Sequence, residues 1–207
     1  MDSEKTKQIN IAIIENNRFI RIGWEMVLLD HPEFNIIGSY PNCESAFISP
    51  MIGKVDIVLM DMHLTGISGI EGIRFLRDKH PHQIILACSV REDNENLFEA
   101  ICYGAFGFLS KNASSKEFIS SIQDAIQGYS PMIPAVARRI LLFWHKNPAK
   151  IADKLESFTE KEITILDKIA CGNSYSTVAN ELSVDETDIL INLREIYQKL
   201  QQIRVSN

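Results

Sequence analysis

The feature that most constrains this chain is a series of five short apolar runs in its first half. Most of them are rich in isoleucine, valine or leucine and do not alternate between apolar and polar residues. Strands that are buried on both faces have this pattern, because neither face meets water. The runs are Ile9 to Ile14, Phe34 to Tyr40, Val55 to Met60, Gln83 to Cys88 and Phe106 to Leu109. They predict a parallel sheet that is covered by helices.

Helical patterns separate these runs. Apolar residues recur at a spacing of three or four after Asn17, Asp61, Asp93 and Ser114. Ser114 is followed three residues later by Glu117, a pairing that is typical of the start of a helix. Strands that alternate with helices predict the α/β class, here a doubly wound, five-stranded parallel sheet.

The pattern changes after Gly128, where a segment with two prolines breaks it. We therefore predict a first domain over residues 1–128 and a linker with a short amphipathic helix over residues 129–156. The rest of the chain, residues 157–207, has no strand pattern and predicts a small all-α domain of the helix-turn-helix type. Its three predicted helices are Thr159 to Ala170, Ser176 to Leu182 and Glu186 to Leu200.

Polar residues stand at the carboxyl ends of four of the five predicted strands. Parallel sheets bind ligands at this edge. The residues are Glu15 and Asn16 after the first strand, Asp61 after the third, Ser89 after the fourth and Lys111 after the fifth. The sequence therefore predicts that two acids, an amide, a hydroxyl and an ammonium group meet at one edge of the sheet.

This set of groups suits phosphoryl transfer. A carboxylate can accept a phosphoryl group as an acyl phosphate, and Asp61 is the predicted nucleophile. Neighbouring oxygens can hold the magnesium ion that offsets the phosphoryl charge. We assign this role to Glu15, Asn16, Asp61 and the backbone carbonyl of His63. Lys111 and Ser89 are predicted to hold the phosphoryl oxygens.

Several stretches carry a family resemblance in the expected register. They are Ile13 to Asn17 (IIENN), Val55 to Ile73, the Ser89 position, Tyr103 to Lys111 (YGAFGFLSK) and Pro134 to Leu141. The chain resembles a response-regulator receiver domain of the NarL/FixJ class. The resemblance implies a flavodoxin- or CheY-like fold, a histidine kinase as phosphoryl donor, Mg²⁺ as cofactor and Asp61 as acceptor.

The resemblance also implies a switch and a self-association face. Phe108 stands at the aromatic switch position of the family and is expected to repack when Ser89 moves; plain core packing is the alternative for this ring. The fourth helix and fifth strand of the receiver are the expected self-association face, so we expect a homodimer on activation.

The departures from the family pattern concern the metal site. Receivers usually carry two adjacent acids after the first strand, and the second of them is Asn16 here. An amide oxygen carries no charge, so we expect a lowered magnesium affinity. Thr65 stands where the family usually has proline. A degenerate receiver that keeps the fold without being phosphorylated is the alternative.

The C-terminal part resembles a LuxR-type helix-turn-helix domain. The resemblance rests on Phe158 to Glu162 and on an apolar framework that includes Ile165, Leu166, Val178, Leu182 and Ile189. It implies transcription regulation through DNA, with Asn192, Arg194 and Lys199 as candidate DNA contacts. The family normally continues into a further helix after Leu200, so the domain is expected to be truncated at its C-terminus.

The negative charge of this region argues against DNA binding. The chain has a net charge of −6, and from Ile151 onwards six basic residues face ten acids, a net charge of −4. Leu190 stands where the family usually has lysine. Because non-specific DNA affinity comes mainly from neutralised phosphates, the alternative is a protein-binding or self-associating domain. Leu190, Ile191 and Leu193 would then form an apolar docking surface.

An enzyme is a further alternative. The stretch Asp61 to Thr65 resembles the D-x-D-x-T motif of haloacid-dehalogenase-type phosphatases, but His63 replaces the second aspartate and the motif follows the third strand. No G-x-G-x-x-G follows the first strand, which argues against a nicotinamide enzyme. We therefore predict that the chain is not an enzyme.

The chain has no apolar run near the ~20 residues that a membrane span needs. Its N-terminus, Met1 to Asn10, is polar and lacks the apolar core of a secretory signal. We therefore predict a cytoplasmic protein with no membrane contact.

Overall fold

The computed structural model describes residues 8–90, 96–146 and 158–203. Two compact units divide the chain, residues 1–88 and residues 89–207. This division falls at the end of the fourth strand and does not test the predicted domain borders at residues 128 and 156, which stay predictions. The helix predicted to begin after Asp93 starts next to residues 91–95, which lie outside the described ranges. The same holds for most of the polar part of the predicted linker.

The strands form one five-stranded sheet in the order β2-β1-β3-β4-β5. This confirms the predicted α/β class, and the order is that of the flavodoxin-like doubly wound sheets. The strands are β1 (Ile9–Ile14), β2 (Phe34–Tyr40), β3 (Ile57–Asp61), β4 (Ile84–Ser89) and β5 (Gly107–Ser110). β1 pairs in parallel with β2 and β3, and β3 pairs in parallel with β4.

The central strands are buried on both faces, as their unalternating sequences predict. The side chains of Ile11 to Ile14 on β1 and Ile57 to Met60 on β3 have no solvent exposure. Within the first unit the helices are α1 (Arg18–Leu29), α2 (Cys43–Phe47) and α3 (Gly69–Lys79). A 3₁₀ turn, Ile52–Lys54, precedes β3.

The second unit contains β5 and six described helices. They are α4 (Asn96–Cys102), α5 (Ser115–Ile126), α6 (Pro134–Lys146), α7 (Glu160–Ala170), α8 (Tyr175–Leu182) and α9 (Glu186–Ile203). Helices α7 to α9 are the three that the sequence predicts, and α6 is the predicted short helix before them. α6 packs against α7, and α9 packs against both α8 and α4.

Three helices begin with the same reciprocal cap. The side chains of Ser68, Ser114 and Thr159 each accept a hydrogen bond from the backbone three residues later, where a glutamate reaches back to the cap. The cap at Ser114 confirms the sequence prediction. In the part of the chain that the structure describes, no helix is long and apolar enough to cross a membrane.

Candidate functional site

The first candidate region is the strand-end cluster, which we define as Glu15, Asn16, Asp61 and His63 at the carboxyl ends of β1 and β3. These strands are neighbours in the sheet. Glu15 is fully buried, and its Oε1 accepts a hydrogen bond from the backbone N–H of Asn17 at 2.9 Å. The Asn17 side chain in turn caps α1, so β1 passes into α1 directly after Glu15.

Asp61 ends β3 in a similar way. Its side chain is 1% exposed, and Oδ1 accepts a hydrogen bond from the backbone N–H of His63 at 2.9 Å. Asp61 is the register partner of Cys88 on β4. Gly69 begins α3 close by, and a Cβ there would lie 2.3 Å from the Asp61 carbonyl oxygen. Only glycine therefore allows α3 to begin at this place, which explains the spacing between Asp61 and Gly69.

Asn16 joins the two strand ends. Its Nδ2 donates a hydrogen bond to the backbone carbonyl of His63 at 3.1 Å. The sequence assigns both of these groups to a magnesium ion, and the structure brings them into contact with each other. The amide of Asn16 is exposed at the surface, unlike the buried carboxylates of Glu15 and Asp61.

Glu44 holds the loop that follows Asp61, and the sequence analysis missed it. Its Oε1 accepts a hydrogen bond from the backbone N–H of Ile67 at 2.9 Å. Gly66 in this loop has a φ of 81°, and a Cβ there would lie 2.2 Å from the same Glu44 oxygen. α2, which carries Glu44, is only five residues long, so no periodicity marks it in the sequence.

The oxygen atoms of the cluster are of the kinds that a divalent cation takes as ligands. Cys43 is a buried neighbour, and burial, followed by the negative charges of Glu44, Glu71 and Asp61, raises the pKa of its thiol to about 12. Oxygen atoms of carboxylates and carbonyls are the ligands that Mg²⁺ prefers, and Mg²⁺ usually takes only one or two carboxylates. Within the described ranges, no group of three or more His, Cys, Asp or Glu side chains forms a metal site. The donor types at these strand ends, two carboxylates and a carbonyl, are ones that Mg²⁺ takes in proteins.

The second unit brings together the predicted strand ends of β4 and β5. The backbone N–H of Lys111 donates to the carbonyl of Ser89 at 2.9 Å. Ser89 is buried and Lys111 is half-buried. Phe108, the predicted switch residue, is buried on β5, and its backbone N–H donates to the carbonyl of Pro131 at 2.9 Å.

The second candidate region is α9, the predicted recognition helix. This helix packs with α4, α7 and α8, and residues that precede β5 or follow α5 also hold it. The Tyr197 hydroxyl donates to the Pro131 carbonyl at 3.1 Å, and Gln201 Nε2 donates to the Ala105 carbonyl at 3.0 Å. The Pro131 carbonyl thus accepts from both Phe108 on β5 and Tyr197 on α9.

Tyr175 makes a second link of this kind. Its hydroxyl accepts from the Met132 N–H at 2.7 Å and donates to the Met132 carbonyl at 2.8 Å. Burial raises the pKa of Tyr175 and of Tyr197, so both hydroxyls keep their protons at neutral pH. The sequence analysis missed both tyrosines, because nothing local distinguishes them from core aromatic residues.

The apolar docking surface predicted on α9 is wrong as proposed. Leu190 is only 7% exposed and Leu193 is fully buried, while Ile191 alone is 42% exposed. The cause is the two-sided packing of α9, which uses Leu190 and Leu193 inside the chain. The leucine at the usual lysine position therefore contributes to intrachain packing.

The three candidate DNA contacts differ in their surroundings. Asn192 Nδ2 donates to the Asp188 carbonyl at 2.6 Å, one turn back on the same helix. Arg194 is exposed and lies beside Gly128. The ammonium of Lys199 lies 2.8 Å from both carboxylate oxygens of Glu162, and the side chains are 17% and 1% exposed. Arg194 is therefore the least constrained of the three, and the DNA-contact role of each stays a prediction.

Comparison with known proteins decides which protein family this chain belongs to. The sequence profile of the response regulator receiver domain matches residues 11–123, more than half of the 207 residues. The chain belongs to the response regulator receiver family. The resemblance seen in the sequence is thereby confirmed for the receiver.

Relatives of this response regulator match it almost from end to end. It is 29% identical over 190 residues to the transcriptional regulatory protein YdfI of Bacillus subtilis (strain 168), over 92% of this chain and 88% of that protein. It is 25% identical over 192 residues to the response regulator UvrY of Escherichia coli (strain K12), over 93% and 88%. The matches therefore include the C-terminal helices as well as the receiver.

A solved structure of the RcsB response regulator of Salmonella typhimurium has the same fold. The TM-score is 0.60 at 14% identity, over 96% of this chain and 97% of that one. The response regulator ChrA, from a heme-sensing two-component system, gives a TM-score of 0.54 at 21% identity, over 93% and 90%. At these identities the likeness concerns the fold alone.

Proposed function

We propose that this response regulator accepts a phosphoryl group on Asp61 from a histidine kinase and regulates transcription by binding DNA through its C-terminal helices. The observation that carries the first half is the burial of two carboxylates, Glu15 and Asp61, at the ends of neighbouring parallel strands. Burying a charge costs free energy unless the charge is paired, hydrogen-bonded or bound to a metal. In this proposal the protein is a signalling acceptor and not an enzyme with turnover, and it acts in the cytoplasm.

In the transfer step a carboxylate oxygen of Asp61 attacks the phosphorus of a phosphohistidine on the kinase. The oxygen–phosphorus bond forms while the phosphorus–nitrogen bond breaks, and the nitrogen keeps the electron pair. The His63 N–H fixes Oδ1 of Asp61 and so orients the carboxylate. Orientation of this kind is a main contribution that a protein can make to phosphoryl transfer.

Glu15, Asp61 and the His63 carbonyl are the groups that we expect to hold Mg²⁺. When bound, the ion supplies positive charge that offsets the repulsion between the phosphoryl group and the two carboxylates. Asn16 contributes no charge, and its amide N–H already faces the His63 carbonyl. We therefore infer a magnesium affinity below that of a site with a third acid.

Ser89 and Lys111 are the groups that we expect to contact the phosphoryl oxygens. Ser89 directly follows Cys88, the register partner of Asp61. The Lys111 N–H is bonded to the Ser89 carbonyl, so movement of one strand end is transmitted to the other. Phe108 is the proposed switch on β5, because its own N–H shares the Pro131 carbonyl with Tyr197 of α9.

The DNA half of the proposal is supported by the relatives. YdfI is named a transcriptional regulatory protein, and RcsB, which shares this fold, has been solved in complex with DNA at 17% identity and a TM-score of 0.58. In the present structure α9 is docked through Tyr197 and Gln201. We infer that it must undock before it enters a DNA groove, so this arrangement is the inactive one.

Undocking of α9 also bears on self-association. RcsB has been solved as two dimers bound to two parallel DNAs, and we propose a homodimer for this protein on activation. The family face for such a dimer includes α4, against which α9 packs here. Release of α9 would therefore free the DNA-binding helix and the dimer face together.

The phosphoryl proposal is tested by intact-mass measurement after incubation with acetyl phosphate and Mg²⁺. We expect one added phosphoryl group in the wild type and none in Asp61→Ala. Asp30→Asn removes an exposed aspartate at the end of α1 and is the matched control, which should gain the group as the wild type does. Equal mass gain in Asp61→Ala and the wild type would refute the assignment.

A further inference from the structure

The contact between Asn16 and His63 joins the two loops that carry the strand-end cluster. Asn16 follows β1 and His63 follows β3, and they are 47 residues apart in the chain. The bond runs from the amide Nδ2 to the backbone carbonyl oxygen at 3.1 Å. The opposite orientation of the amide would set its oxygen against the carbonyl oxygen, two acceptors without a proton between them. The amide must therefore act as donor here.

A carboxylate at position 16 cannot make this bond. Ionised aspartate accepts hydrogen bonds and donates none, so its oxygens would repel the His63 carbonyl. Such a pair needs a positive group between the two oxygens. With Glu15 and Asp61 already buried beside it, an acid at position 16 would also add a third negative charge. Asparagine at position 16 therefore forms a hydrogen bond within the protein, whereas aspartate there would create a site that needs a cation.

The loop that contains His63 has further anchors within the protein. The His63 N–H donates to Asp61, and the Ile67 N–H donates to Glu44. The Ser68 side chain caps α3. Both ends of the loop are thus held by bonds within the chain, and the Asn16 bond ties the start of the loop to the segment that follows β1.

We propose that Asn16 takes over the structural part of the magnesium ion's role: it ties the β1 and β3 ends together, so that the receiver site is assembled before the cation binds. Asn16 is a positioning residue in this proposal, since it acts through the His63 carbonyl. The ion remains necessary for charge and must compete with the amide for that carbonyl. The inference rests on the proposed function only in taking Mg²⁺ as the cation.

The test compares thermal unfolding of the full chain with and without Mg²⁺ in the wild type, Asn16→Asp and Asn16→Ala. We expect the wild-type midpoint to change little. Asn16→Asp should unfold at a lower temperature without Mg²⁺ and regain the loss when Mg²⁺ is added, because ligand binding stabilises the folded state. Asn16→Ala should lose stability without any recovery by Mg²⁺.

Asn192→Asp is the matched control. This residue also donates its amide to a backbone carbonyl, that of Asp188, but it lies on α9 in the other unit. The same substitution there should lower the midpoint in a way that Mg²⁺ does not reverse. A merely structural effect of losing an amide bond would make Asn16→Asp and Asn192→Asp behave alike, and that result would overturn the proposal.

Two further measurements report on the site itself and not on stability. Calorimetric titration with MgCl₂ gives the Mg²⁺ affinity, and hydrogen exchange gives the protection of individual amides. We expect Asn16→Asp to bind Mg²⁺ roughly tenfold or more tightly than the wild type. Exchange of the amides in residues 62–68 should be insensitive to Mg²⁺ in the wild type and sensitive to it in Asn16→Asp. Equal affinities, or a wild-type loop that is protected only by Mg²⁺, would overturn the inference. Neither measurement involves phosphorylation, so the Asp61 assignment stands or falls separately.

Discussion

The strand-end cluster and α9 both carry the polar residues that the sequence assigns to ligands, but they hold them differently. Glu15 and Asp61 each accept a hydrogen bond from a backbone N–H two residues later. Lys199 on α9 instead reaches Glu162, which is 37 residues away. A bond that closes within two residues depends on the local sequence alone, whereas a long-range ion pair depends on how helices pack. Ligand residues are therefore easier to predict at strand ends than on a packed helix.

The two regions also differ in how the free-energy cost of burying charge is offset. The strand-end carboxylates of Glu15 and Asp61 are buried and accept hydrogen bonds from backbone N–H groups, and the proposed cation and phosphoryl roles would account for their burial. The buried charge in the C-terminal helices is neutralised inside the chain, since Lys199 contacts both oxygens of Glu162. The first arrangement suits ligand binding, and the second holds a helix in place.

The largest stability effect should come from breaking this ion pair. Lys199→Met leaves the Glu162 carboxylate buried without its partner, and we expect a loss of about 3 kcal/mol in the free energy of unfolding. Urea unfolding followed by circular dichroism measures it. Glu162→Gln keeps the cap at Thr159, because glutamine also serves in such caps.

The double variant Lys199→Met, Glu162→Gln sharpens the test. Removing both charges should restore most of the stability, since no uncompensated charge stays buried. If the single Lys199→Met variant is as stable as the wild type, Lys199 is a surface cation and its contact with Glu162 carries no weight. Lys199 would then become a stronger candidate for DNA contact.

The next effect concerns the docked state of α9. Tyr197→Phe removes the hydrogen bond to the Pro131 carbonyl and should cost about 1 kcal/mol. We expect faster hydrogen exchange along α9 and tighter binding to promoter DNA without phosphorylation, measured by gel shift at a fixed low salt concentration. Tyr175→Phe is the comparison variant: Tyr175 lies on α8, and the substitution removes its hydrogen bonds to the Met132 backbone but leaves those of α9 in place. If Tyr197→Phe changes neither exchange nor DNA binding, α9 is not held by this contact.

The smallest effect is a pH dependence at Asp124 on α5. Burial, and then the negative charge of Glu186, raise the pKa of this carboxyl above its ordinary value of 3.8. Because the pKa of Asp124 is higher in the folded state, proton binding at Asp124 contributes fully to stability below pH 3.8. This contribution is lost as the pH rises through the pKa of the folded state. Between the ordinary pKa and the folded-state pKa, the free energy of unfolding should fall as the pH rises. The fall should be smaller in Asp124→Asn. An Asp124→Asn variant with the same pH dependence as the wild type would contradict this assignment.

The strands could be predicted because burial on both faces leaves a continuous apolar run. Their ends were less certain. β3 was predicted over Val55 to Met60 and runs over Ile57–Asp61, because Asp61 still pairs with Cys88. α2 could not be predicted from its five residues, and with it the analysis missed Glu44 and its bond to the loop after Asp61.

The strand-end residues could be named from their positions, but their contacts could not. The sequence predicts Asn16 as a weakened metal ligand, and only the three-dimensional arrangement reveals that its amide donates to His63. On α9, Leu190 stands where the family usually has lysine, and only the structure shows that it packs inside the chain. The tyrosine contacts that dock the helix join residues 43 and 66 positions apart, beyond the reach of any local pattern.

The most direct test of the central claim is to locate the acyl phosphate on the chain. After incubation with acetyl phosphate and Mg²⁺, borohydride reduction converts a phosphorylated aspartate to homoserine, which peptide mass mapping can place. We expect homoserine at position 61, and none at the neighbouring acid Asp56. Homoserine at Asp56 or elsewhere, with Asp61 intact, would contradict the account.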